Sequence, residues 1–503
     1  MVGAVCGVRN PLMRATFFIS IVLANAMLST ARAGSVVPPD PIVAGQAIVN
    51  ASTPAALAQT IAALSVQFPA VSVALQIPNR PIYLLSYELA PKQTTHQFDL
   101  ALGALVTQGT LTWAELNYEG QTAEGKTDSL WLSGLGINAN AYDSQYAVPL
   151  LGLKSAHRRS RGAGVVVSVI DTGIDATHPV FENSISPLGA SFIANSPSFS
   201  DIGDGLDNDG DGFFDEQVGH GTFIAGLIHL VAPDAMILPV RVLDSDGRAG
   251  NFQVAQALAW SIDRGAHVVN MSLGETYHSN ALEDLAQEAL QRGIIIVAAA
   301  GNFDVEDPRE YPANDSNACG VTALDSTDYK ASFTNFEIDM DLAAPGVSRI
   351  INGVPDLAQC VVGPIPSGGF AVWQGTSMAT AFASGTVALV RSQNPQWPDA
   401  QTPNASIFNR VMDLIDVNGV SIDELNPQFA GMLGRARISP SGVTAALPIA
   451  PRVGDVNFDG VVNAADLTIQ LSQWGVCEPS LRSDLNADGI VNAADIVTLL
   501  SNW

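Results

Sequence analysis

The sequence predicts an α/β chain built on a parallel sheet, with a small α+β segment before it and a small helical, calcium-binding segment after it. Three observations predict this. Residues 165–170, 267–271 and 294–298 are apolar runs bounded by glycine or polar residues, the pattern of strands buried on both faces. Helical stretches at 252–263 and 281–292 alternate with them, which argues for parallel strands joined by crossovers. The C-terminal end carries one acidic segment twice, at 455–466 and 484–495, each copy followed by an amphipathic stretch.

Taken in order, the chain opens with Arg9 and Arg14, then an apolar core at 15–28 too short to span a membrane. Ala31-Arg32-Ala33 follows as a small-x-small cleavage site. Residues 1–33 therefore read as a secretory signal peptide, and no membrane span is expected after its removal. Residues 34–50 are rich in proline and valine and read as extended. A helix is expected at 55–66, a strand at 82–89, a helix at 98–106 and a strand at 111–118, giving an α+β domain over 34–120. Residues 121–144 carry Gly, Asn and Ser and read as a loop open to processing. The α/β domain spans 145–446. Pro448 and Pro451 mark a linker at 447–452, and the repeat occupies 453–503.

Composition agrees with several folded modules. A chain of 503 residues exceeds one ordinary core, and 47% hydrophobic with only 14% charged residues argues against disorder. The net charge of −26 excludes a nucleic-acid partner, which would need clustered Lys and Arg. Of four cysteines, Cys6 leaves with the signal. Spacing leaves open whether Cys319 and Cys360 pair, and no cysteine has zinc-ligand spacing.

Four short strings carry chemistry. Asp171-Thr172-Gly173 ends the 165–170 run, at the strand end where parallel sheets gather their reacting groups. His220-Gly221-Thr222 and Gly375-Thr376-Ser377-Met378-Ala379 stand just before helical stretches at 223–229 and 378–391, where backbone N–H groups are free to meet an anion. Ala299-Ala300-Gly301-Asn302 adds a side-chain amide. No second Asp-Thr-Gly is present, so an aspartic dyad is excluded, and Ala379 breaks the Gly-x-Ser-x-Gly elbow.

In the order Asp, His, Asn, Ser, these strings resemble the subtilisin-like serine peptidases (subtilases) from about residue 145 to 445. The resemblance implies a subtilisin-like fold and a secreted endopeptidase acting on protein or peptide substrates through an acyl-enzyme. It makes Ser377 the nucleophile, His220 the base, Asp171 the group that orients it and Asn302 an oxyanion donor. It makes Ser272-Leu273-Gly274 one wall of the substrate cleft and Ala299-Ala300-Gly301 the opposite wall of the first specificity pocket. It makes the 34–120 domain a propeptide that inhibits its own enzyme until it is cleaved. The chain departs from the family where Ala381-Phe382 replaces the usual Pro-His, and where Val180 stands at a calcium-ligand position.

Calcium is the cofactor expected. Asp207, Asp209 and Asp211, followed by Gly212, begin a calcium loop, with Asp215 or Glu216 closing it because Val218 holds the twelfth position. The two C-terminal copies place Asp455, Asn457, Asp459, Val461, Asn463 and Asp466, and Asp484, Asn486, Asp488, Ile490, Asn492 and Asp495, at EF-hand ligand positions. The pair resembles a dockerin domain, which implies a cohesin-type partner. Ala464-Ala465 and Ala493-Ala494 replace the polar pair that such partners commonly read. The rival reading is a catalytically silent subtilase-fold scaffold with a calcium-dependent docking module. An esterase on the same site stays open as a third.

Overall fold

The computed structural model describes residues 37, 40–125, 132–134, 136–194, 196–450, 452–457, 461–477 and 481–503. The signal peptide, Asp459, Pro451 and part of the processing loop lie outside them.

The first domain contains β1 (Ile42–Asn50), α1 (Pro54–Ser65), β2 (Ser72–Gln76), β3 (Ile82–Ser86), α2 (Thr95–Thr107) and β4 (Trp113–Thr122). Thr53 caps α1, accepting from Ala56 N, and Pro54 fits the first turn, where no N–H is required. A Thr94/Gln97 capping box starts α2. The strands form an antiparallel sheet in the order β4-β1-β3-β2, and Val49, Leu85, Phe68, Phe98 and Leu102 close a core between sheet and helices. β2 was not legible in the sequence because its five residues are all exposed and show no alternation. β4 runs four residues past the expected end at 118, because its end finds partners in the next domain.

That domain contains β5 (Val166–Asp171), β6 (Ala190–Ser191), α3 (His220–Val231), β7 (Met236–Arg241), β8 (Arg248–Gly250), α4 (Asn251–Asp263), β9 (Val268–Met271), β10 (Leu273–Gly274), α5 (Asn280–Gln291), β11 (Ile295–Ala299), β12 (Ala318–Leu324), β13 (Leu342–Pro345), α6 (Thr376–Ser392) and β14 (Ala436–Arg437). Among the described residues eight strands form one parallel sheet, ordered β14-β13-β12-β11-β9-β5-β7-β6. Helices α3 and α6 pack on one face and α4 and α5 on the other. Every residue of α6 is buried, which fits its run of small and apolar side chains.

The first domain's sheet lies over α4 and α5, where Ile48, Ile82 and Leu84 join their apolar side. Its polar side chains complete helix ends. The Glu115 carboxylate accepts from Ser279 Oγ at 2.8 Å and from Asn280 N at 2.7 Å, at the start of α5. Asn117 Oδ1 accepts from Phe252 N at 3.0 Å, at the start of α4. Arg80 donates to both Asp263 and Glu288. The end of β4 is inserted between two strands, pairing Gly120 with Ala249 of β8 and Gln121 with Gly274 of β10.

The C-terminal segment has two short helices, α7 (Ala464–Ser472) and α8 (Ala493–Ser501), each begun by an Asn/Asp capping box. It rests on the α/β domain, where Ser186 Oγ donates to Ala487 O at 3.0 Å. The linker is pinned, with Leu447 O accepting from Arg159 and Pro448 O from Gln393. Cys319 and Cys360 are buried free thiols and do not pair.

Candidate active site

Asp171 ends β5 and His220 is the first residue of α3, so both lie in regular structure at the C-terminal edge of the sheet. His220 Nδ1 lies 2.7 Å from Asp171 Oδ1, which also accepts from Thr172 N. Gly221 permits the approach: a Cβ there would strike Gly173 O and come within 3.1 Å of Asp171 Oδ1. The turn and helix are stapled by Asp201, which sequence reasoning missed. Its buried carboxylate accepts from Thr172 Oγ1, Gly219 N, Thr222 N and Thr222 Oγ1. Burial pushes the Asp201 carboxyl up to about 6 against these bonds, aided by the charge on Asp171. No local pattern marks Asp201, because its partners are 18 to 29 residues away.

Ser377 lies in the first turn of α6, because the helix begins at Thr376, two residues before its expected start at 378. Asn302 is oriented by α6 itself: its Oδ1 accepts from Thr376 N at 2.9 Å and Thr376 Oγ1 at 3.0 Å, which leaves Nδ2 facing Ser377.

A carboxylate from the segment just after β4 fills the space between these groups. After β4 the chain turns, Gly125 N donating to Thr122 O, and Glu124 points into the site with no exposed surface. Glu124 Oε1 accepts from Asn302 Nδ2 at 3.1 Å and Ser377 N at 3.4 Å. Oε2 accepts from Ser377 Oγ at 2.5 Å and faces His220 Nε2 at 3.1 Å. Gly375 makes this possible, since a Cβ on it would fall on Glu124 Oε1. Burial opposes charge on His220, but Asp171 and Glu124 outweigh it and hold the imidazole up at about 10. The sequence offered no signal for Glu124 beyond its position just after the strand.

The predicted wall residues Ser272, Leu273 and Gly274 flank the site on one side. Ser272 O accepts from Ser377 Oγ at 3.2 Å, and Leu273 and Gly274 pair with Thr122 and Gln121. On the other side β11 ends at Ala299, Ala300 and Gly301 follow it, and Gly301 N donates to Thr376 Oγ1.

Of the loop acids, Asp207, Asp209 and Asp211 each bring a carboxylate oxygen within 4.8 Å of the others, an arrangement that fits calcium. Asp215 is not among them; its Oδ1 instead accepts from Asp204 N and Gly205 N. Glu216 is not among them either; burial and the charges of Asp246 and Asp211 push its carboxyl up to about 7. In the second C-terminal copy Asp484 is raised to about 6 by burial and by Asp488 and Asp495, a crowding that a divalent cation would relieve. Asp466 and Asp495 each tie their loop to the following helix through backbone N–H groups. Asn463 and Asn492 use Oδ1 as helix caps.

Comparison with known proteins agrees with this arrangement. A model of the subtilase family matches residues 162–417, and a model of the dockerin type I domain matches 453–502. Subtilisin BL of Lederbergia lenta is 37% identical over 260 residues, 50% of this chain and 85% of that relative. An alkaline protease of Shouchella clausii is 36% identical over 278 residues, 53% of this chain and 65% of that one. Among solved structures, fervidolysin from Fervidobacterium pennivorans, a keratinolytic enzyme related to subtilisin, aligns with a TM-score of 0.59 at 20% identity. That alignment covers 82% of this chain and 63% of the other and shows a shared fold. The chain belongs to the subtilase family. It is a serine endopeptidase with a dockerin type I domain at its C-terminal end.

Proposed function

We propose that the chain is a secreted, calcium-stabilised peptidase made as a zymogen, with Asp171, His220, Ser377 and Asn302 as its machinery. Ser377 Oγ attacks the substrate carbonyl and gives its proton to His220, which returns it to the leaving amine; water then releases the acyl group from Ser377. Asp171 keeps Nδ1 protonated so that Nε2 faces the nucleophile, and Asn302 Nδ2 with Ser377 N receives the oxyanion. The observation that carries this reading is the convergence of His220, Ser377 and Asn302 on one carboxylate, with Asp171 behind His220.

The same carboxylate supports the zymogen. The 34–120 domain feeds its last strand into the cleft as a substrate would, and Glu124 ties up nucleophile, base and oxyanion donors together. Cleavage beyond Glu124, followed by release of the domain with residues 121–124, frees the site. Calcium would be held by Asp207, Asp209 and Asp211 and by the two C-terminal loops, where it supplies the charge that lets crowded carboxylates fold together. The dockerin domain fits a cohesin-type partner.

The test is expression of the full chain and its Ser377→Ala variant, with N-terminal sequencing and fluorophosphonate labelling. Self-processing and labelling at Ser377 in the wild type alone support the reading. A chain processed by other means that neither labels nor cleaves would be a scaffold.

A further inference from the structure

Glu310 lies where the two cleft walls approach each other. The route is backbone pairing: Glu275 N donates to Tyr311 O at 3.0 Å and Tyr311 N to Glu275 O at 2.7 Å, so residues 310–311 are tied to the end of the 272–274 wall. Asn314 N and Nδ2 both donate to Glu310 O, which holds the neighbouring turn. The Glu310 side chain then meets both walls. A Cβ on Gly274 would sit 2.8 Å from Glu310 Oε2, and one on Gly301 would sit 2.7 Å from Glu310 Cγ. Glu310 is only 2% exposed, and so is the adjacent Glu275.

Both walls therefore end in glycine where this carboxylate lies, and neither contributes a side chain of its own there. Asn335 adds a second polar group, its Nδ2 crowding the position a Cβ on Gly301 would take. An extended peptide paired with Leu273 and Gly274 directs the side chain preceding the cleaved bond between these walls. A long aliphatic chain ending in a cation would pack along the glycine backbone and bring its charge to the acid. An apolar chain would bring no charge to meet it, and an acidic one would be repelled.

We propose that Glu310 is a specificity-determining residue that selects lysine or arginine on the acyl side of the cleaved bond. The inference rests on the peptidase reading above and names the substrate class for that site.

The experiment compares kcat/KM of the self-processed enzyme on tetrapeptide anilides that differ only in the last residue: Lys, Arg, Leu, Phe or Glu. Lys and Arg should exceed Leu and Phe by on the order of 100-fold, the scale of a desolvated charge pair. Glu310→Gln should erase that ratio, while Glu310→Asp, which keeps the charge, should retain a basic preference. Benzamidine should compete in the wild type and lose its hold in Glu310→Gln. A wild type that prefers Leu or Phe, or a Glu310→Gln variant that keeps the basic preference, overturns the assignment and leaves the peptidase reading standing. If Glu310→Gln does not fold, the wild-type ratio and its competition by benzamidine decide. If no anilide is cleaved and Ser377 takes no fluorophosphonate, the peptidase reading itself has failed.

Discussion

His220 sits between two carboxylates, and that placement separates an active site from a locked one. With Glu124 in place the imidazole is held up at about 10, which favours the protonated form, and that form cannot take a proton from Ser377. Without Glu124 one of its two anionic neighbours is gone and its value falls. The docked state therefore keeps a proton that the released state gives up. Docking is fully supported below the released value and weakens as pH rises through about 10. Hydrogen exchange at residues 119–122 in the Ser377→Ala chain should accordingly speed up towards alkaline pH beyond the intrinsic rate. A flat profile would mean that His220 does not couple to the lock. Glu124→Gln keeps the shape and removes the charge, so the unprocessed chain should label at Ser377 at least about tenfold faster, a modest share of a buried ion pair. If Asn302 donates to the oxyanion as proposed, Asn302→Ala should lower kcat by about 100- to 1,000-fold, the range for removing one oxyanion-hole donor. At this scale four strings led to Asp171, His220, Ser377 and Asn302, which the fold brings together, because each string carries its own local geometry. Glu124 and Asp201 could not, since their roles exist only once distant segments meet.

Elements explain why the reacting groups need no adjustment. β5 presents Asp171, α3 begins at His220 and α6 begins around Ser377, so rigid backbone sets the spacing. Gly221 is the closest point between two of these elements. Gly221→Ala should push α3 off the 171–173 turn, costing about 1–3 kcal/mol as overpacking does. Thermal melting and Ser377 labelling should both fall. Unchanged labelling would show that the Asp171–His220 distance is not limiting. The apolar runs located the central strands to within a residue or two because burial on both faces leaves so plain a mark. The exposed β2 left none. The far end of β4 was missed for a different reason: its partners, β8 and β10, lie more than 120 residues further along the chain.

At the scale of the whole molecule, one chain contains a subtilase domain, an α+β domain whose last strand reaches into its cleft, and a dockerin type I domain. How they join was not legible in the sequence. Arg80, which is 8% exposed, joins the first domain to Asp263 and Glu288 of the α/β domain. No sequence period pairs residues so far apart. Chelation should act on the C-terminal module first. With EGTA, helicity from residues 464–501 should be lost and the segment should become open to added protease. Calcium at about 100 times its dissociation constant should restore some 2.7 kcal/mol. Protection that ignores chelation would remove calcium from this description.

The most direct single measurement is casein hydrolysis by the secreted chain in calcium, beside Ser377→Ala. The wild type should shed its first domain and cleave casein, and the variant should remain full length with activity lower by about 10⁴-fold or more. Equal activity in the two, or a wild type that is processed yet inert, would contradict the central claim that Ser377, His220 and Asp171 work as one unit.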